Sequence, residues 1–404
     1  MGILWGVPTR TPVVVLLALL AALVAVGLVT ERDEAPDPGA TTPLAVIAQR
    51  VEVLRELRFR TPPRAQRVTP AQARREGLTD LDRGYPAAAQ RADAEVLVLL
   101  GLAPPGLDLR AVSAGLFEEG VAGYYDPRSD RLRVVEGAAT ASPVLTETTL
   151  AHELTHALED QRFGLEQAGE GGLDDRALAG LALVEGTATD VMARYAQRWL
   201  AGGAAGLAGA GLGEAPLGLP PFLEARLVFP YLGGLGFVAA LRRTAGGDWR
   251  LVDTALRDRP PVSSEQVLHP EAWLRAEPPR PVRLRAGRVL GAGWRRVTAG
   301  TWGEWATQRL LRADAVGWGG DRYELWQRPG AASCRAPCRT NDALVLRWRW
   351  DTLAAARRGA AAVRRWAAAP PTGSAGVAVA TRGGVATLAL APTRRLARAL
   401  AAGA

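Results

Sequence analysis

The chain has 404 residues, enough for two or three domains with a sizeable core. Its net charge of +8 comes from arginine alone, since the sequence contains no lysine. No basic block interleaved with aromatics occurs. That excludes a dedicated nucleic-acid interface and leaves only weak attraction to anionic membrane or wall polymers.

Val13 to Val29 form an unbroken apolar run, with Arg10 before it and Glu31, Arg32, Asp33 and Glu34 after it. The run has the length of a long signal h-region or a short membrane-spanning helix. Positive charge on its N-terminal side predicts export of the bulk of the chain. Small-x-small cleavage signals are poor, Ala25-Val26-Gly27 being the best. An uncleaved signal anchor over residues 1–30 is therefore expected, with a cleaved signal peptide as the alternative, so that the rest lies outside the cytoplasmic membrane.

Residues 31–43 are acidic and Pro-rich and read as a linker. Apolar residues at Leu44, Ile47, Val51, Leu54 and Leu57 predict a helix with one buried face, stopped by Pro62-Pro63. Short and longer helices are expected from Pro70 to Gly77 and Pro86 to Leu102. All three helices read as core-forming or as a cover, with no chemistry of their own. Gly120 to Tyr125 and Arg131 to Val135 flank a turn-rich Asp126-Pro127-Arg128-Ser129-Asp130 and predict a β-hairpin. An edge strand there offers main-chain pairing to an extended peptide.

Next comes His152-Glu153-Leu154-Thr155-His156, inside a helix expected from about Thr146 to Phe163 with Leu150, Leu154 and Leu158 as its buried stripe. Two of the chain's three histidines are here. One helical turn apart, they project from one face and can share a zinc ion, with Glu153 beside them as a base for water. The bland alternative is a surface helix with two solvated histidines.

A second helix is expected from Asp174 to Leu200, its acidic start suited to capping and to the helix dipole. Within it, Glu185 sits among small and apolar residues, where a carboxylate is expensive unless paired or metal-bound. We read Glu185 as the third zinc ligand, brought up by the small neighbours Ala182, Gly186 and Ala188; a solvent-facing glutamate is the alternative. Glu159 shares the histidine face but lies about 10 Å along the axis from His152, too far for easy joint ligation. Thr189 or Asp190 is a candidate to orient a ligand imidazole, or else an ordinary helix residue.

After a Gly-rich stretch over 202–218, helices are expected at Pro221 to Pro230, Leu235 to Thr244 and Trp249 to Leu256. His269 follows in a polar turn. It is the candidate donor to the oxyanion of a peptide-bond hydrolysis, weighed against a structural turn histidine. Tyr124 and Tyr125 are the alternative donors. From about residue 276 strand-like runs (Val282–Leu284, Tyr323–Gln327, Ala343–Trp350, Gly376–Thr381, Gly384–Ala389) mix with helical ones (Glu304–Leu311, Thr352–Trp366, Pro392–Ala401). Eight of the twelve tryptophans fall here, expected as core rather than as a carbohydrate platform. Cys334 and Cys338, in an exported chain, are expected to form a short-loop disulfide rather than a metal knuckle.

Leu150 to Gln161, together with Val184-Glu185-Gly186-Thr187-Ala188, resembles the gluzincin zinc metallopeptidases. Gly123 to Pro127, Ser263 to Pro270, Gly317 to Tyr323 and Trp350-Asp351-Thr352 resemble a group of exported, membrane-anchored bacterial members. The resemblance covers residues 44 to 400, loosely outside these stretches. It implies zinc on His152, His156 and Glu185, with Glu153 as base. In thermolysin-like members an acid one turn after the glutamate ligand orients a histidine; that position here is Thr189, and the nearest acid is Asp190.

The expected fold is therefore α+β. A mainly helical, zincin-like domain with a small β-hairpin spans 44–275, and an α+β domain spans 276–404. The expected function is zinc-dependent hydrolysis of a peptide or protein substrate outside the membrane. The alternatives are a tethered, non-catalytic scaffold and a zinc amidase acting on cell-wall amides.

Overall fold

Helix α1 (Leu44–Arg55) shows how the chain builds its elements. Ile47, Ala48, Val51 and Arg55 recur at helical spacing and are buried, while Val46 and Val53 remain exposed. The helix ends at Glu56, which is left-handed at φ 58°. The computed structural model describes residues 42–404 apart from 62–63, 120–122, 128, 137–142, 166–171, 201–217, 314, 331–337, 339 and 371–375. The expected signal anchor and Cys334 lie outside the described residues.

The fold is α+β with two sheets. The chain divides into two units that alternate along the sequence. One takes residues 1–80, 111–166 and 187–219, the other 81–110, 167–186 and 220–404.

In the first unit, β1 (Ala65–Val68) pairs in parallel with β3 (Arg131–Val135), and β2 (Gly123–Asp126) pairs antiparallel with the other side of β3. The hairpin is the expected one. The parallel strand β1 was not legible, because Arg64-Ala65-Gln66-Arg67 has no apolar alternation. Helix α2 (Pro70–Gly84) runs beyond the expected Gly77. Helix α3 (Ala87–Leu99) belongs to the second unit, and α4 (Leu109–Glu119) returns the chain to the first. Val68, Ala73 and Val135 make a small core against Tyr124.

Helix α5 (Pro143–Phe163) carries the two histidines. It begins three residues before Thr146, and the Thr148 hydroxyl donates back to the Val144 carbonyl at 2.9 Å. Ala151, Leu154, Ala157 and Leu158 are buried, and Leu150 is only half-buried.

Helix α6 (Asp175–Trp199) starts as expected, with Asp174 Oδ1 accepting the Arg176 N–H at 3.0 Å. Two of the three small neighbours of Glu185, Ala182 and Gly186, meet a different helix from α5. They face Gly234, and a Cβ on Gly186 would fall on the Gly234 backbone. Small residues here make the contact with α7 (Pro221–Thr244). That helix runs unbroken through Pro230, where two helices were expected. Proline costs a hydrogen bond, but Phe229 and Pro230 are buried and packing holds the turn. Among the described residues, α7 is also the one helix long and apolar enough to cross a bilayer; Phe222, Leu223, Phe229, Phe237, Val238 and Leu241 on it are buried, as in a core helix.

The second unit continues with α8 (Arg250–Arg257), α9 (Ser264–Leu268), α10 (Pro270–Leu274) and α11 (Ala286–Leu290). Its antiparallel sheet has the order β4-β5-β6-β8-β7 and contains β4 (Arg295–Gly300), β5 (Trp318–Gln327), β6 (Asp342–Trp350), β7 (Gly376–Arg382) and β8 (Val385–Ala391). Val282–Leu284, expected as a strand, is not one; the edge strand is β4, whose Arg-Arg start hides its alternation. Helix α12 (Glu304–Leu311), α13 (Leu353–Ala368) and α14 (Arg394–Gly403) complete the unit. Ala397, Leu400 and Ala401 of α14 pack on Ala343, Val345 and Ala389 of the sheet. Trp302, Trp305, Trp318, Trp348 and Trp350 are buried, which is the core use expected of them. Cys338 is disulfide-bonded.

Candidate metal centre

Helix α5 projects His152 and His156 from one face, and their Nε2 atoms lie 3.0 Å apart. The rings meet edge to face at 87°, with centroids 4.7 Å apart. His152 is buried and His156 half-buried. Glu185 of α6 joins them: one ligand atom from each of the three lies within 4.8 Å of the others, the one such group among the described residues. The division between the units falls after Gly186, inside α6, so Glu185 sits on a helix that continues unbroken into the first unit.

These residues fit a zinc ion. Tetrahedral Zn–N bonds of about 2.0–2.1 Å place two ligand nitrogens about 3.3 Å apart, close to the spacing seen. Two imidazoles facing Nε2 to Nε2 can share only one proton, whereas a cation uses both lone pairs. Two nitrogens and a carboxylate oxygen are a zinc-type donor set.

Glu153 is held from the sheet. Its Oε2 accepts the backbone N–H of Tyr125 on β2 at 2.8 Å. Tyr125 grips α5 a second time through its hydroxyl, which donates to Asp160 Oδ2 at 2.7 Å, two turns beyond Glu153. Burial, then the Asp160 carboxylate, raises the Tyr125 phenol above its ordinary pKa of 10. Tyr124 donates its hydroxyl to Glu76 at 2.7 Å. Both tyrosines weighed as oxyanion donors thus have work inside the first unit. The edge strand β2 is present as expected, yet one of its main-chain donors, the Tyr125 N–H, is committed to Glu153 and not open to a peptide.

Glu159 is no zinc ligand. It is fully buried; Oε1 meets Arg55 Nε at 2.6 Å and Oε2 accepts the Thr187 hydroxyl at 2.6 Å. Arg55 and Thr187 were missed in the sequence. Arg55 occupies an apolar-stripe position of α1, and an arginine where a leucine belongs was the available signal. Asp190 pairs with Arg194 one turn on, at 2.7 Å, and Thr189 is buried.

His269 lies in the second unit, between α9 and α10, with Nε2 3.2 Å from Oε1 of the buried Glu304. The Glu304 hydrogen bond raises the imidazole above its ordinary pKa of 6.5, against an opposing effect of burial. A raised histidine pKa adds stability that is full below 6.5 and is lost as pH rises through the folded value. With three histidines in the chain, proton NMR can follow this ring alone. Its midpoint is expected above 6.5, falling on Glu304→Gln; an unmoved midpoint in that variant rejects the pair.

Compared with protein-family models, curated proteins and solved structures, the chain matches none of them.

Proposed function

We propose that this protein is a zinc-dependent endopeptidase of the gluzincin type, with a zincin-like metal domain. The convergence of His152, His156 and Glu185 on one point, with Glu153 next in sequence to the first of them, carries the reading. Zinc held there supplies a Lewis acid for a peptide carbonyl and lowers the pKa of water. Glu153, oriented by the Tyr125 N–H, takes the proton of the attacking water and delivers it to the departing amine. His269 is proposed as oxyanion donor, with its imidazole paired to Glu304. The apolar run Val13–Val29 is proposed to tether the enzyme outside the cytoplasmic membrane, where peptides and proteins are its substrates.

Element analysis of purified protein tests the centre. One zinc per chain is expected, and none after His152→Ala. Wild type that takes up no zinc, or a variant that keeps it, rejects the site. Incubation with a peptide library and with cell-wall fragments separates peptidase from wall amidase. Turnover of neither leaves a tethered scaffold, against which the presence of Glu153 argues, because a structural zinc needs no base.

A further inference from the structure

The rise per residue of an α-helix brings a second feature of the site into focus. Glu159 stands three residues past His156 on α5, about 4.5 Å along the axis, and Thr187 stands two residues past Glu185 on α6, about 3 Å along. The bond between them joins the two ligand-bearing helices within a turn of both ligands. We propose that Glu159 and Thr187 are positioning residues that set Glu185 against His152 and His156. This rests on the zinc reading above.

Three observations support it. The bond is short, 2.6 Å, and runs from a hydroxyl to a carboxylate, the stronger and more directional kind. Both side chains are fully buried, so no water competes for either. The second oxygen of Glu159 is held by Arg55, also fully buried, which stops the carboxylate from turning away from Thr187. An apolar pair would fill the same volume without fixing how far one helix slides along the other. A hydrogen bond with both ends buried does fix it. The glycine contact to Gly234 limits α6 on another side, and the Tyr195 hydroxyl bonds Glu147 farther along the same two helices, so the Thr187 bond is the one of these two that fixes their register beside the ligands.

The test compares Thr187→Val, which keeps shape and removes the hydroxyl, with Thr187→Ser, which keeps the hydroxyl. Thr187→Ala serves if the valine variant does not fold. Zinc affinity is read by competition with a chromogenic chelator, and kcat and KM are measured with excess zinc on the best library peptide. Thr187→Val is expected to bind zinc about tenfold to a hundredfold more weakly. Its kcat is expected to fall with KM unchanged, and Thr187→Ser to restore both. Wild-type zinc affinity and kcat in the valine variant, with only a lower melting temperature, overturn the proposal. So does a serine variant as impaired as the valine one. If wild type itself binds no zinc, the zinc reading fails and takes this inference with it. If wild type binds zinc and hydrolyses normally while Thr187→Val is unaffected, this inference fails alone.

Discussion

Glu153→Gln is expected to retain a full zinc complement and to lose between about a hundredfold and ten-thousandfold in kcat, the range for removing a general acid–base group. Glutamine keeps the length of the side chain and an oxygen able to accept the Tyr125 N–H. The fold and the metal ligands are therefore left as they were. What goes is a group able to take a proton, since an amide is not a base near neutrality. Single-turnover kinetics on the best library peptide, with zinc content measured on the same sample, give the answer. Near-wild-type turnover would remove Glu153 from the mechanism. Lost zinc would instead mean that Glu153 supports the ligands and that the lost activity is indirect.

Arg55→Met is expected to be the most destabilising single change in the first unit. Arg55 and Glu159 are each 0% exposed and 2.6 Å apart. Removing one partner leaves the other charge buried with too little compensation, at about 3–5 kcal/mol. For a unit of this size that is a fall on the order of 10 °C in melting temperature. The double change Arg55→Met with Glu159→Met should recover most of the loss, because a buried ion pair is often replaceable by apolar side chains of similar volume. Thermal unfolding of the zinc-free protein reads both. A single variant melting within about 1 °C of wild type would show that the pair is not buried in solution. The double variant should nevertheless bind zinc more weakly than wild type, since it has also lost the acceptor for Thr187.

This pair changes how the N-terminal helix is understood. Read as a sequence, α1 was a core helix or a cover with no chemistry. In the structure, Arg50 meets Glu147 near the start of α5 at 3.0 Å, and Arg55 meets Glu159 near its end. The helix is bound to α5 at two places twelve residues apart. It is part of what holds α5, so cutting between α1 and the rest should weaken the centre rather than uncover it.

Local spacing was enough for the parts of the site that lie within one helix. His152, Glu153 and His156 are related by a single turn, and the periodicity of α5 is set by its own residues. The hairpin was legible for the same reason, from a turn-rich stretch between two short apolar runs. Glu185 was legible for a different one: a carboxylate among small and apolar neighbours demands compensation wherever it ends up. Two of the three small neighbours credited with its approach, Ala182 and Gly186, instead meet Gly234. A small residue records that something comes close and does not record what.

The rest depended on partners distant in sequence. Glu159 looked like a weak fourth candidate for zinc, and became a structural carboxylate only once Arg55, 104 residues earlier, and Thr187, 28 residues later, were placed beside it. Tyr125 looked like a packing residue or an oxyanion donor, and its backbone N–H turned out to hold the Glu153 carboxylate. Strand β1 had no pattern of its own and exists because β3 offers it a parallel partner. Helix periodicity and the cost of a bare buried charge act within a short window and can be read from it. The identity of the group that meets that charge is settled only when the chain folds, because hydrogen bonding depends on proximity in space and leaves no trace in spacing along the chain.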